Sequence, residues 1–278
     1  MAAAMFSLEG KCVVVTGGGR GIGRGISRAL AKAGARVVIA GRSAAPLEDT
    51  AEELRGLGAE ALVVPTDVTV RADLDRLAAA ALERFGRIDG WVNNAGSAAP
   101  GDVGPLIDLD ERQWDAVVGL NLKAAFFACQ VAAKAMKAGG SILNISSRSG
   151  SQPNPMTGQY GAAKAGLENL TATMAVEWGH MGLRVNAIAP GVVLTEDSTV
   201  TGSMRSESRR QRQIDTVPLR RLGVVDDVGP LAVYFMSDES AWISGAIVPV
   251  NGGSRVPVGY LTYLHHVNER MRAQESAA

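Results

Sequence analysis

The sequence predicts an α/β fold: a single doubly wound, Rossmann-type domain of about seven parallel strands with helices on both faces. Three observations carry this. From Lys11 onward, short runs rich in valine and isoleucine alternate with longer segments of helical period. A glycine-rich turn joins the first run to the first helix. No Pro/Ser-rich linker, internal repeat or composition break interrupts the rhythm, so residues 1–278 are expected to form one domain, with 196–216 as a candidate substrate lid and 256–278 as a C-terminal tail.

The elements follow in order. Cys12-Val13-Val14-Val15 is the first strand, and Ile22, Ile26, Leu30 and Ala33 mark one stripe of the helix that Gly34 closes. Val37 to Ala40 is the second strand. Later strands are expected near Ala61 to Val64, Ile88 to Asn93, Ser141 to Ser146, Arg184 to Ile188 and Ala246 to Val250. Asp108 with Glu111 has the form of a capping box ahead of an apolar-periodic helix through Phe127, and a further helix spans Gly158 to Trp178. Right-handed crossovers then place ligand sites at the carboxyl ends of the strands.

Composition narrows the function classes. The 28 basic and 28 acidic residues cancel, so no bulk field recommends nucleic acid or an anionic membrane as a partner. Cys12 and Cys129 are the only cysteines, and both lie in apolar runs, which argues for core positions rather than a disulfide framework or thiolate metal site. His180, His265 and His266 have no ligand spacing, so no metal is expected, and Asp226-Asp227 reads as a helix N-cap rather than a paired-carboxylate site. Met1 to Leu8 has no basic n-region, and no stretch is read as reaching roughly 20 apolar residues; a soluble, cytoplasmic protein is expected.

Two constellations carry chemistry. Thr16-Gly-Gly-Gly-Arg-Gly-Ile-Gly23 lies between strand and helix, where glycines admit a pyrophosphate and the helix N-terminus offers unpaired N–H groups. Tyr160 and Lys164, four apart on a helix, share one face; a nearby ammonium favours phenolate, so such a tyrosine can exchange a proton with a carbonyl or alcohol oxygen. Ser146 and Ser147 end the fifth strand, and only one of two adjacent strand residues can face a substrate.

The turn has the spacing T-G-x-x-x-G-x-G, and it is followed by Asn93-Asn-Ala-Gly96, Tyr160-Gly-Ala-Ala-Lys164 and Pro190-Gly-Val-Val-Leu-Thr195 in that order. In this the chain resembles the classical short-chain dehydrogenase/reductase family over about residues 7–255, and it is similar to 3-oxoacyl-acyl-carrier-protein reductases. The resemblance implies Tyr160 as acid/base, Ser147, thirteen residues earlier, as oxyanion donor, Lys164 as modulator that also holds the nicotinamide ribose, and Asn121 as holder of a water linking the lysine to solvent. It implies cofactor contacts at Gly17, Gly19, Arg20, Gly21, Ile22, Gly23, Arg42, Asp67, Val68, Asn94, Ala95, Gly96, Tyr160, Lys164, Pro190, Gly191, Val193 and Thr195. Asp67 would meet the adenine ring, and the Pro190–Thr195 segment the nicotinamide carboxamide.

Charge argues which cofactor. The position where a carboxylate would accept from the ribose 2′-OH is Gly41, and Arg20 and Arg42 stand around it, which favours NADP(H) over NAD(H). The expected function is hydride transfer between NADP(H) and a small-molecule carbonyl/secondary alcohol pair, as a ketone or 3-oxoacyl reductase. The alternatives are an NAD-dependent alcohol, sugar or steroid dehydrogenase of the same family and, in a different class, a non-catalytic nucleotide-binding sensor or scaffold. Small residues Ala162, Ala163, Gly166 and Ala172 allow close helix approach, and relatives pair through this helix, so a homodimer or homotetramer is expected. Asn251 stands where relatives usually carry Asp.

Overall fold

A computed structural model describes residues 5–97, 102–196, 206–256 and 260–277. The described strands are β1 (Cys12–Thr16), β2 (Arg36–Gly41), β3 (Ala61–Pro65), β4 (Gly90–Asn93), β5 (Gly140–Ile145), β6 (Leu183–Pro190), β7 (Val193–Leu194), β8 (Gly223–Val224) and β9 (Ile247–Val250). Seven of them form one parallel sheet in the order β3-β2-β1-β4-β5-β6-β9, the doubly wound arrangement expected. Strand ends differ from the sequence reading by at most two residues, as frayed ends do. Pro65 and Pro249 fall in the edge strands, where a missing N–H costs least, and Pro190 is the last residue of β6.

The period-2 alternation of the strands feeds two cores. Cys12 and Val14 face a cluster with Leu74, Leu77, Trp91 and Cys129, while Val13 and Val15 face Ile26, Leu30, Leu54 and Phe235. Helices α1 (Gly21–Lys32), α2 (Ala44–Gly56), α3 (Arg71–Phe85), α4 (Glu111–Val118), α5 (Ala124–Ala135), α6 (Gly158–Trp178), α7 (Glu207–Asp215), α8 (Gly229–Met236) and α9 (Tyr260–Ala277) complete the described architecture. Both cysteines are buried and free, as expected, and burial pushes each thiol up to about 12.

Several expectations need correction. The capping box is Asp110 with Gln113, not Asp108 with Glu111: Gln113 N donates to Asp110 Oδ1 at 2.7 Å and Asp110 N to Gln113 Oε1 at 3.1 Å, while Asp108 closes a 3-10 turn. The helix that follows is not regular. A π-helical turn, Gly119–Lys123, separates α4 from α5. The run Glu111–Ala135 is, by length and composition, apolar enough to cross a membrane, contrary to the sequence reading; half of it is buried, with Val117, Ala125, Ala128, Cys129 and Ala132 spent in the core.

Asp226 and Asp227 do not cap a helix as an N-cap residue. Asp226 pairs with Arg28, and Asp227 takes Arg221 at 2.6 and 2.7 Å while accepting from Val224 N three residues back. The proposed lid contains α7, whose Ile214 packs with Val192, Leu194, Val217 and Leu222; its residues 197–205 lie outside the described residues. The tail from 260 is helical, with Tyr263 and Leu264 exposed; 257–259 and 278 lie outside the described residues.

Candidate active site

The strand order reverses between β1 and β4, and their carboxyl ends open the crevice in which such sheets bind ligands. Gly17 (φ +66°) and Gly21 (φ +49°) turn the chain from β1 into α1 through left-handed conformations. A Cβ on Gly23 would overlap the Gly17 carbonyl and lie 2.5 Å from Asn94 Nδ2, so α1 approaches the turn more closely than a side chain permits. Arg20 precedes the helix in extended backbone, and no side chain caps the first N–H groups, leaving them for an anion.

The asparagine-rich segment after β4 divides its labour. Asn94 Nδ2 donates to the Thr16 and Gly17 carbonyls, both at 3.1 Å, and the Asn94 and Ala95 N–H groups donate to Thr16 Oγ1 at 3.1 and 3.2 Å. Asn94 therefore braces the glycine turn. Asn93 points into the core, accepting from Trp91 Nε1 and donating to Asn144 Oδ1, both at 2.9 Å.

Other cofactor-side residues fall into two groups. Gly21 and Thr195 face each other, a Gly21 Cβ lying 3.2 Å from Thr195 Cγ2, and Gly191 packs on Asn251, so the Pro190–Thr195 segment closes over the turn; Val193 holds it there through β7. Asp67, at the end of β3, accepts from Thr69 N and Oγ1 at 2.9 and 2.7 Å. Gly19 packs against Pro46 and Leu47, Ile22 packs on the core beneath the turn, and Val68 is buried. These three shape the crevice from behind. Arg20 in the turn and Arg42 after Gly41 are both exposed, with no ion pair among the described residues. The uncapped N–H groups at the start of α1 and the excluded Cβ positions fit the pyrophosphate of a dinucleotide.

At the reaction end, α6 carries Tyr160 and Lys164 on one face toward the end of β5. Lys164 Nζ donates to the Ile145 carbonyl at 2.9 Å and lies 5.6 Å from the Tyr160 ring centroid. Burial lowers the ammonium to about 8, with Glu168 working the other way. Burial raises the Tyr160 phenol, and the Ser147 hydroxyl draws it back. Loss of solvent is the larger of these two effects on the phenol, and the ammonium that the spacing places beside it lies on the same helix face.

Ser147, in extended backbone, accepts from Ser149 N at 3.1 Å, leaving its own O–H to donate. Ser146 points the other way, as alternation requires, and donates to Glu168 Oε1 at 2.7 Å. Asn121 sits in the π-helical turn, 1 % exposed, with Nδ2 donating to Ser97 O and Val117 O at 2.8 and 2.9 Å. Its Oδ1 is buried without a partner among the described residues. The space above Gly96 is flanked by that oxygen at 2.6 Å and by Lys164 Nζ at 3.5 Å from a Cβ position, so Asn121, Ser147, Tyr160 and Lys164 converge.

Sequence reasoning missed Thr16 as the brace of Asn94, the Asn93–Asn144–Thr171 network behind the site, and Glu168. Only Glu168 left a signal: it continues the four-residue spacing of Tyr160 and Lys164.

Comparison with known proteins places this geometry. The sequence profile described as enoyl-(acyl carrier protein) reductase matches residues 17–255. The 3-oxoacyl-acyl-carrier-protein reductase FabG of Thermotoga maritima is 33% identical over 248 residues, 88% of this chain and 98% of that one. Among solved structures, a short-chain type dehydrogenase/reductase from Mycobacterium ulcerans superposes with a TM-score of 0.86 at 32% identity, covering 92% of this chain and 94% of that one. A 7α-hydroxysteroid dehydrogenase complexed with NADH and 7-oxo glycochenodeoxycholic acid gives 0.84 at 32% identity, covering 91% and 97%.

Proposed function

Since the chain belongs to the short-chain dehydrogenase/reductase family, whose NAD(P)-dependent members act on CH–OH groups, we propose that it is an NADPH-dependent ketone or 3-oxoacyl reductase. The observation that carries the chemistry is the convergence of Ser147, Tyr160 and Lys164 at the end of β5 beside the glycine turn.

Bound NADPH supplies the hydride. Ser147 Oγ–H donates to the carbonyl oxygen and stabilises the charge that grows there. The Tyr160 hydroxyl gives that oxygen its proton; a phenol held above its ordinary pKa remains protonated and ready to donate in the reductive direction. Lys164 keeps its ammonium fixed on the Ile145 carbonyl, next to Tyr160, and would hold the nicotinamide ribose of a bound cofactor. Asn121 Oδ1 accepts from a water that links Lys164 to solvent across Gly96.

Arg20 in the turn and Arg42 after Gly41, both exposed, support the choice of NADPH, since a 2′-phosphate meets no carboxylate at Gly41. Comparing kcat/KM for NADPH and NADH over a ketone panel tests this, and an NADH preference overturns it. The 7α-hydroxysteroid dehydrogenase complexed with NADH favours a second reading, an NAD-dependent steroid or alcohol dehydrogenase. The same assay separates the two. We also propose that α6, with Ala162, Ala172 and Val176 exposed, joins copies of the chain into a homodimer or homotetramer.

A further inference from the structure

The end of β5 is gripped residue by residue. Ile145 gives its carbonyl to Lys164, Ser146 gives its hydroxyl to Glu168, and Ser147 faces the reaction. Lys164 and Glu168 are one turn apart on α6, so a single helix face holds two consecutive residues of the strand that presents the serine. The turn after β5 is shaped around the carboxylate: a Cβ on Gly150 would overlap the Glu168 carboxyl group.

We propose that Glu168 is a positioning residue for the reaction, fixing the strand end that carries Ser147 through Ser146 and supplying the countercharge that holds the Lys164 ammonium. This rests on the assignment of Ser147, Tyr160 and Lys164 above. The surroundings of Lys164 leave little else to play the part. α6 contributes Tyr160 and Glu168; β5 and the turn after it contribute the Ile145 carbonyl, two serines and Arg148, whose guanidinium turns to Ser254; the π-helical turn contributes the neutral Asn121 amide. Among these, Glu168 is the group whose charge favours the ammonium, and its own carboxyl is held up by burial against the pull of Ser146 and Lys164.

The test uses Glu168→Gln, which keeps the shape and the acceptor for Ser146 but removes the charge. NADPH affinity is followed by cofactor fluorescence between pH 6 and 10, which needs no substrate, together with turnover of a panel ketone and the thermal midpoint. In the parent, affinity is expected to weaken as Lys164 loses its proton near pH about 8. In the variant the same limb should move about one pH unit toward acid, since an opposite charge at this range shifts a neighbour by about that much or more. Gly150→Ala is the second variant: the added methyl displaces only the flexible end of Glu168, which should preserve the fold and move the limb in the same direction. A limb that stays in place in both variants overturns the proposal, whether or not the thermal midpoint falls. Lys164→Met separates the two levels of the argument, because a limb that survives it shows that Lys164, not Glu168, was misassigned.

Discussion

Gly23→Ala is expected to damage the cofactor crevice in a way that can be worked from the structure. The new methyl would overlap the Gly17 carbonyl and lie 2.5 Å from Asn94 Nδ2, and the carbonyl belongs to backbone that cannot swing aside. Overpacking of this kind costs about 2 kcal/mol. Displacing the Asn94 amide also weakens its two bonds to the Thr16 and Gly17 carbonyls, at about 1 kcal/mol each. Alanine returns at most about 1 kcal/mol through helix propensity. The net loss is about 3 kcal/mol, which for a chain of this size lowers the thermal midpoint by roughly 6–12 °C. Thermal unfolding followed by circular dichroism measures it, with Asn94→Ala as comparator, expected to lose about 2 kcal/mol through the hydrogen bonds alone. NADPH affinity should fall in Gly23→Ala by at least tenfold, roughly 1.4 kcal/mol, because the turn N–H groups no longer converge. An alanine variant that melts within about 2 °C of the parent and binds NADPH as tightly would refute the close-approach argument.

Four further outcomes are expected. Tyr160→Phe should lower kcat about 10²–10⁴-fold, the usual contribution of a general acid, with NADPH affinity retained; stopped-flow single turnovers would show whether hydride transfer itself has slowed. Arg42→Glu should weaken the NADPH preference over NADH by about 10–100-fold in kcat/KM, the loss of one charge-assisted contact plus repulsion. Relative to the parent, Lys164→Met should be more stable at pH 7 than at pH 10.5 by roughly 3 kcal/mol, on top of a pH-independent loss of about 1–3 kcal/mol from the unpaired Ile145 carbonyl. The sign follows from a folded-state value near 8 against 10.5 when free: below about pH 8 the buried ammonium carries its full cost, and above it the unfolded chain alone retains the proton, so this pH-dependent gain of the variant should vanish toward pH 10.5 in urea titrations. Cys12 and Cys129, buried with thiols at about 12, should resist thiol reagents in the native protein at pH 8 and react on unfolding; labelling under native conditions would contradict their placement.

The sheet was legible because buried parallel strands demand continuous β-branched runs, and the runs from Cys12, Val37 and Arg184 have no other use. The span of α6 from Gly158 to Trp178 was likewise legible as a proline-free run rich in alanine and other helix formers, with small residues on several faces. The sequence did not reveal how each polar group spends its hydrogen bonds. Asn93 and Asn94 are the same residue type in adjacent positions, yet one enters a core network and the other braces the glycine turn, a division set by which side of β4 each faces. The capping residue was misplaced by two positions because Asp108 and Asp110 offer the same side chain, and only the extended backbone at Asp110 decides between them. Spacing likewise shows that an ammonium lies near Tyr160, but neither that it donates to the Ile145 carbonyl nor that the phenol is buried.

The π-helical turn sets a constraint on how this chain can change. One residue more than an α-helical turn holds is accommodated between Gly119 and Lys123, and it lets Asn121 aim inward while α5 keeps its apolar residues against the sheet. Removing one residue from that turn would restore a regular helix and leave α4 and α5 facing nearly as before, because the wider π winding turns less per residue and so absorbs the extra one. The loss would be local: Asn121 would no longer bulge toward Ser97 and the site, while Val117 and the apolar face of α5 stayed in the core. The extra residue therefore serves the site and not the packing: a chain one residue shorter here could keep its core and still lose the inward aim of Asn121.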